Sequence, residues 1–290
     1  MPKTTQTNAI TNGYMHHAPA LLLAMAATAI PTRVLAGDLF EIQVYEAEVN
    51  RPWQPGLEAH LNYTMSGRKT PDYAGEQVPH QVGRLTLEPA LGITEFLEVG
   101  AYLQNTLNAD GQYRFAGWKL RTKWVLPKRY TGNFFFGLNA EIGKVPHAVE
   151  AEGWANEFRP IAGYYDGHWL FDVNPIIGYA LSGPDKLRPE FEPAGKIGFN
   201  TQHGFMLGAE YYAGFGYLSS VSTPVSEQEH LLFVTLDLAE AAEAATMTAP
   251  APKDAHTESE PWEFNLGLGR GLTDATPQHY IVKAIFGKAF

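Results

Sequence analysis

The 290-residue chain carries 31 acidic against 21 basic side chains, a formal net charge of −10, which excludes a nucleic-acid partner because that would call for a basic face or stripe. It has no cysteine, so thiolate catalysis, disulfide staples and cysteine-based metal sites are excluded as well. The length suits two average domains or one large all-β barrel, since barrels run past about 200 residues as a single unit.

Residues 1–36 read differently from the rest. A polar start containing Lys3 leads into APALLLAMAATAI, then Pro31 and the small-residue pattern Val34-Leu35-Ala36 ahead of Gly37-Asp38. The stretch has the form of a secretory signal peptide: it is too short to span a bilayer as a helix and lacks the polar face of a buried one. Its n-region is long and weakly basic, so translation starting at Met15 is an alternative. No later stretch approaches the roughly 20 apolar residues of a spanning helix. Export without a helical anchor leaves the periplasm, the exterior or an outer membrane.

The next segment, DLFEIQVYEAEVN at residues 38–50, alternates like a strand, yet as a strand it would make the total odd. It is therefore expected in a lumen or at a periplasmic rim, with residues 37–50 set apart from a barrel over 51–290. From Gly56 onward, segments of about ten residues with every second position apolar recur between Gly, Pro, Asn and Asp clusters, which is the period of a strand. In GLEAHLNYTMSG, Leu57, Ala59, Leu61, Tyr63 and Met65 lie on one face and Glu58, His60, Asn62, Thr64 and Ser66 on the other. FLEVGAYLQN and FAGWKLRTKW repeat the pattern, the latter placing Ala116, Trp118, Leu120 and Trp124 opposite Gly117, Lys119, Arg121 and Lys123. Further strands are expected near 80–91, 132–143, 154–166, 168–180, 190–200, 205–215, 229–238, 261–270 and 278–290, about twelve in all. Long polar connections such as GRKTPDYAGEQVP and GKVPHAVEAEG take turns with tight ones such as ITEF and YDGH, as extracellular loops and periplasmic turns do in outer-membrane barrels. Residues 239–260, rich in Ala, Glu and Pro, read as a flexible insertion.

Alternation alone does not say which face meets water. Aromatics near strand ends (Trp124, Tyr164, Trp169, Tyr211, Trp262, Tyr280) suit interfacial girdles. Glycines on the polar face (Gly100, Gly137, Gly163, Gly208, Gly267) suit a crowded interior. The chain closes on YIVKAIFGKAF, an apolar strand that would invite aggregation in water but fits a closed barrel in lipid. The expected fold is thus a transmembrane antiparallel β-barrel, with a secreted or periplasmic β-sandwich or soluble barrel binding an apolar ligand as the other possibility.

The blocks EIQVYEAEVNRPWQPGLEAHLNYTMSGRKTPDYAGE, LEPALGITEFLEVGAYLQ and GLTDATPQHYIVKAIFGKAF resemble the outer-membrane barrels grouped with the meta-pathway of phenol degradation, a set described mostly as transporters without a defined substrate. The likeness covers nearly all of the chain after residue 37. It implies an outer-membrane channel or transporter for a small solute, with lipid and the barrel-assembly machinery as its other partners and no cofactor. Tyr280, Val282, Ala284, Phe286 and Phe290 look like the terminal signal that this machinery reads, with Lys288 departing from it.

With lipid on the apolar face, the lumen should carry a ladder of Lys119, Arg121 and Lys123 flanked by Glu98 and Glu141, together with Glu58, His60, Arg84, Glu88, Glu157, Arg159, Asp172 and Glu210. Such a ladder either sets solute selectivity or belongs to a network of ion pairs that fills a narrow, non-conducting barrel. A lipid-hydrolase reading needs a Ser/His pair, and Thr64 or Ser66 would lie more than about 10 Å along the strand from His60, so no catalytic residue is assigned. No metal site is assigned either, because EAH at 58–60 would need ligands from another strand.

Overall fold

The computed structural model describes Met1 and residues 38–151, 153–220, 223–238 and 262–290. The chain divides into two units, Met1–Pro31 and Thr32–Phe290, the first of which lies, but for Met1, outside the described residues. The leader expected at 1–36 and the insertion expected at 239–260 fall outside them too.

The second unit is a ring of strands: β1 (Pro55–Gly67), β2 (Val82–Thr94), β3 (Leu97–Leu107), β4 (Tyr113–Val125), β5 (Phe134–Lys144), β6 (Trp154–Tyr165), β7 (Trp169–Asn174 with Ile177–Ala180), β8 (Glu190–Phe191 with Ala194–Asn200), β9 (Met206–Gly214), β10 (Glu229–Asp237), β11 (Glu263–Gly271) and β12 (Gln278–Ala289). Each pairs antiparallel with its neighbours in sequence, and β12 returns to pair with β1, Leu61 opposite Ala284. Closure of twelve antiparallel strands leaves no edge, and every strand begins within about three residues of the position that alternation alone assigns it.

Two strands are split, and proline is the cause. The register runs unbroken across each split: Val173 and Ile177 of β7 face Ala162 and Phe158 of β6, while Asn174 and Ile177 face Ala194 and Phe191 of β8. That register puts Pro160, Pro175 and Pro193 in one row across three adjacent strands. Proline has no N–H to give to a ladder, so the row loses its donors and the strands part there. A second irregularity moves a residue to the other face. Ala116, expected on the outside with Trp118, is buried at 1 % exposure, because a bulge between the Gln104–Gly117 and Asn105–Phe115 pairs inserts it into the wall, and Gly117 turns the chain at φ 124°.

The barrel is inverted relative to a soluble one. His60, Thr64, Thr86, Gln104 and Asn139 are fully buried, whereas Leu61, Leu120, Leu268 and Val234 on the alternate positions stand 44, 53, 58 and 68 % exposed. Soluble proteins do not leave a continuous apolar belt of this extent in water; a bilayer turns it into the favourable surface. Rings gather on the outside at both rims. Phe134 meets Tyr164 at 5.1 Å, Trp169 meets Phe199 at 4.9 Å and Phe264 meets Phe286 at 5.4 Å at the end bearing the short turns. Trp118 meets Trp154 at 5.8 Å at the end bearing the long loops.

Candidate functional site: the filled lumen

Residues 38–50 run through the barrel rather than along its wall. Leu39, Phe40, Glu41, Ile42, Val44, Tyr45 and Ala47 are all buried. Irregular backbone in a barrel has no ladder to join, so its polar groups need side-chain partners, and the strands supply them. Asn62 donates to the Leu39 carbonyl at 3.0 Å, Lys283 to Ile42 at 2.9 Å and Arg159 to Gln43 at 3.0 Å. Asn174 both accepts from the Tyr45 N–H (2.7 Å) and donates to the Tyr45 carbonyl (3.0 Å). The segment starts near the loop end, where Asp38 meets Lys119 at 2.5 Å, and reaches the turn end, where Glu48 meets Lys128 at 2.9 Å. There Trp53 and Gly92 tie it under β2 before β1 begins.

Its apolar side chains fill two patches of the interior. Leu39, Ile42 and Val44 cluster with Ile176, Tyr212, Leu231, Phe233 and Ile281; Tyr45 and Ala47 with Phe135, Ile161, Leu170 and Met206. The inward glycines make this possible: a Cβ on Gly269 would come within 2.4 Å of the Phe233 ring, and one on Gly163 within 2.0 Å of Phe135.

The charged residues form paired groups around the segment. Arg121 donates through Nε to Glu88 at 2.5 Å and through Nη2 to Glu98 at 2.7 Å. Glu98 also accepts the Asn50 N–H. Lys119 reaches Glu141 at 3.1 Å as well as Asp38. The direct cross-strand neighbours differ from these pairs, since Arg121 faces Glu141 and Lys123 faces Glu98 in register; the contacts run diagonally. Among the described residues Lys123 forms no ion pair, and its ammonium stands 5.3 Å from the centre of the Tyr45 ring. Glu157 pairs with Arg159 at 2.8 Å, Glu210 with Lys283 at 2.5 Å, and Asp172 accepts from Asn174 at 3.2 Å. Arg84 donates to Thr64 and lies over Phe40. His60 faces Glu88 at 3.1 Å and Glu58 at 3.5 Å.

Several participants were not legible as site residues: Asp38 and Glu41 beside Lys119, and Tyr45, whose hydroxyl shares a 2.6 Å hydrogen bond with Tyr102, which donates in turn to Glu141. Alternation marks Tyr102 as inward, but only the path of residues 38–50 brings Tyr45 to it.

A cavity of about 480 Å³ lies at the turn end, lined by the lower half of the segment together with Glu58, Glu88, Glu98, Arg121, Lys123 and Lys128 among others. At the loop end a smaller cavity of about 30 Å³ lies between Asp38, Phe40, Arg84 and the Gln77 and Glu150 loops.

Glu150, in the loop at 145–153, has its carboxyl pushed up to about 7, first by burial, then by Asp38 against the pull of Lys119, and further by Glu190 and Glu157. A carboxyl held above its unfolded value binds its proton more tightly when folded. The stability it contributes is therefore present at low pH and lost as pH rises from the ordinary carboxylate range through about 7. Hydrogen exchange at 145–153, corrected for its intrinsic pH dependence, should show greater protection at about pH 5 than at about pH 8, and Glu150→Gln should abolish the difference.

No protein-family model and no curated protein matches the chain. Among solved structures it is similar to the COG4313 outer membrane channel from Pseudomonas putida F1, at 11 % identity and a TM-score of 0.53, covering 86 % of this chain and 100 % of that one. It is also similar to the KdgM porin, at 7 % identity and a TM-score of 0.48, covering 81 % of this chain and 99 % of that one. At such identities the first likeness speaks for the fold, and it agrees with the geometry: the chain folds as a closed twelve-stranded barrel of the outer-membrane type.

Proposed function

We propose that the protein is an outer-membrane channel or transporter for a small solute, of the type grouped with the meta-pathway of phenol degradation, held closed by residues 38–50. The observation that carries this reading is a barrel with an apolar exterior whose charged cavity, about 480 Å³, lies at the turn end beneath the strap of residues 38–50 and the interior side chains they pack against. The short turns at the strap's lower end support a periplasmic position for that end. Lys119, Arg121 and Lys123 would line the route a solute takes once the strap shifts. The outer row of Tyr280, Val282, Ala284 and Phe286, with Phe290 beyond it, would be what the assembly machinery reads.

A second reading, a non-conducting structural barrel, draws on the ion pairs of Lys119, Arg121, Arg159 and Lys283 in the interior. Planar-bilayer recording separates the two. The protein lacking residues 38–50 should open discrete steps several-fold larger than those of the intact chain. A correctly closed barrel that stays silent in both forms would overturn the channel reading.

A further inference from the structure

We propose that Glu58, His60 and Glu88 form a divalent-cation site on the lumen wall, of the kind that takes Zn²⁺ or a similar first-row transition metal. One ligating atom of each side chain lies within 4.8 Å of the others. His60 Nε2 stands 3.1 Å from a Glu88 oxygen and 3.5 Å from a Glu58 oxygen. Ligands about 2.1 Å from a tetrahedral Zn²⁺ stand about 3.4 Å apart, so the present spacing needs little adjustment.

The two strands fix this geometry. Glu58 and His60 are alternate residues on the inner face of β1, and Glu88 is in direct register with Glu58 on β2. The site has a route in, since Glu58 and Glu88 both line the turn-end cavity, whose lining carries eight carboxylates against six cationic side chains. It also has orientation, because Arg121 occupies one oxygen of Glu88 and leaves the other turned to His60, as hydrogen-bonded carboxylate ligands commonly are. Glu58, Glu88 and Glu98 outnumber the cations beside them, Arg121 and Lys123, so the wall keeps a net negative charge that favours a cation when His60 binds as the neutral imidazole. Independent of these charges, Thr86 sits directly opposite His60 across β1 and β2, fully buried, with its hydroxyl unpartnered among the described residues. A metal-bound water filling the open coordination position would satisfy it. One imidazole and two carboxylates with an open position suit Zn²⁺, Mn²⁺ or Fe²⁺ better than the oxygen cage of Ca²⁺.

The test is titration of Zn²⁺ into the refolded full-length barrel in detergent, its closure verified by the mobility difference between unheated and boiled samples. One Zn²⁺ per chain is expected. His60→Gln and Glu58→Gln should each weaken binding by at least the 10- to 100-fold typical of losing a group that only orients a ligand. Glu58 is the partly exposed member, with 31 % of its side chain accessible, so its variant tests the site even if the His60 variant fails to close. His147→Ala, in an exposed loop, should leave binding unchanged. Absence of saturable binding in the closed wild-type barrel, or binding indifferent to both Glu58→Gln and His60→Gln, would overturn the assignment.

Discussion

Arg121→Ala should lower the stability of the folded barrel by about 3–5 kcal/mol, the cost of leaving buried charges unpaired. Arg121 and its two partners, Glu88 and Glu98, have side chains only 3–4 % exposed, and one guanidinium is the shared cationic donor to both. Removing it strands two carboxylates close together, one of which also holds the Asn50 N–H at the foot of the lumenal segment. Arg121→Lys should recover only part of the loss, because a single ammonium does not reproduce a fork that reaches two carboxylates from separate nitrogens. Urea titration of the barrel in detergent measures both variants. A loss below about 1 kcal/mol for the alanine variant would mean that these charges are solvated and that the lumen is wetter than the packing indicates.

Leu61→Arg should cost about 2–4 kcal/mol in a bilayer, the penalty for a cation on the lipid face near mid-depth. Leu61 lies at the middle of β1 on the outer face, 44 % exposed, beside Leu85 and Ala284 on its neighbours. The same change on a protein surface in water would stay within about 0.5 kcal/mol, so the magnitude itself identifies the solvent. Unfolding in liposomes supplies the measurement, and a near-zero effect there would place Leu61 outside the hydrocarbon.

The strands were readable because the signal is local. Side chains alternate with period two whatever the partner strand, and an apolar residue at Leu57, Leu61, Leu120 or Val234 reveals its face without knowledge of the ring. Phase was lost only where the chain breaks the period, at the Ala116–Gly117 bulge. The proline row across β6, β7 and β8 was invisible for a different reason: Pro160, Pro175 and Pro193 align only once three registers are known. Residues 38–50 alternate as a strand does, yet a ring closed by β1 and β12 offers no edge to receive them, and closure is a global property. The charged residues were readable as inward-facing, but their partners were not. Glu88 reaches Arg121 across an intervening strand, and Tyr45 reaches Tyr102 from the interior, so neither pairing has a fixed sequence spacing. The same holds for Glu58, His60 and Glu88, whose third member comes from the next strand.

The inverted polarity of the barrel is the claim on which the rest stands, and it can be tested with one thiol. The chain has no cysteine, so Val234→Cys, at a position 68 % exposed on the outer face of β10, introduces the only reactive sulfur. Reconstituted into sealed liposomes, that thiol should resist a water-soluble, membrane-impermeant maleimide and react promptly once the barrel is unfolded in urea. Rapid labelling in intact liposomes, with the barrel closed, would show that water and not lipid covers this face, and would contradict the membrane barrel.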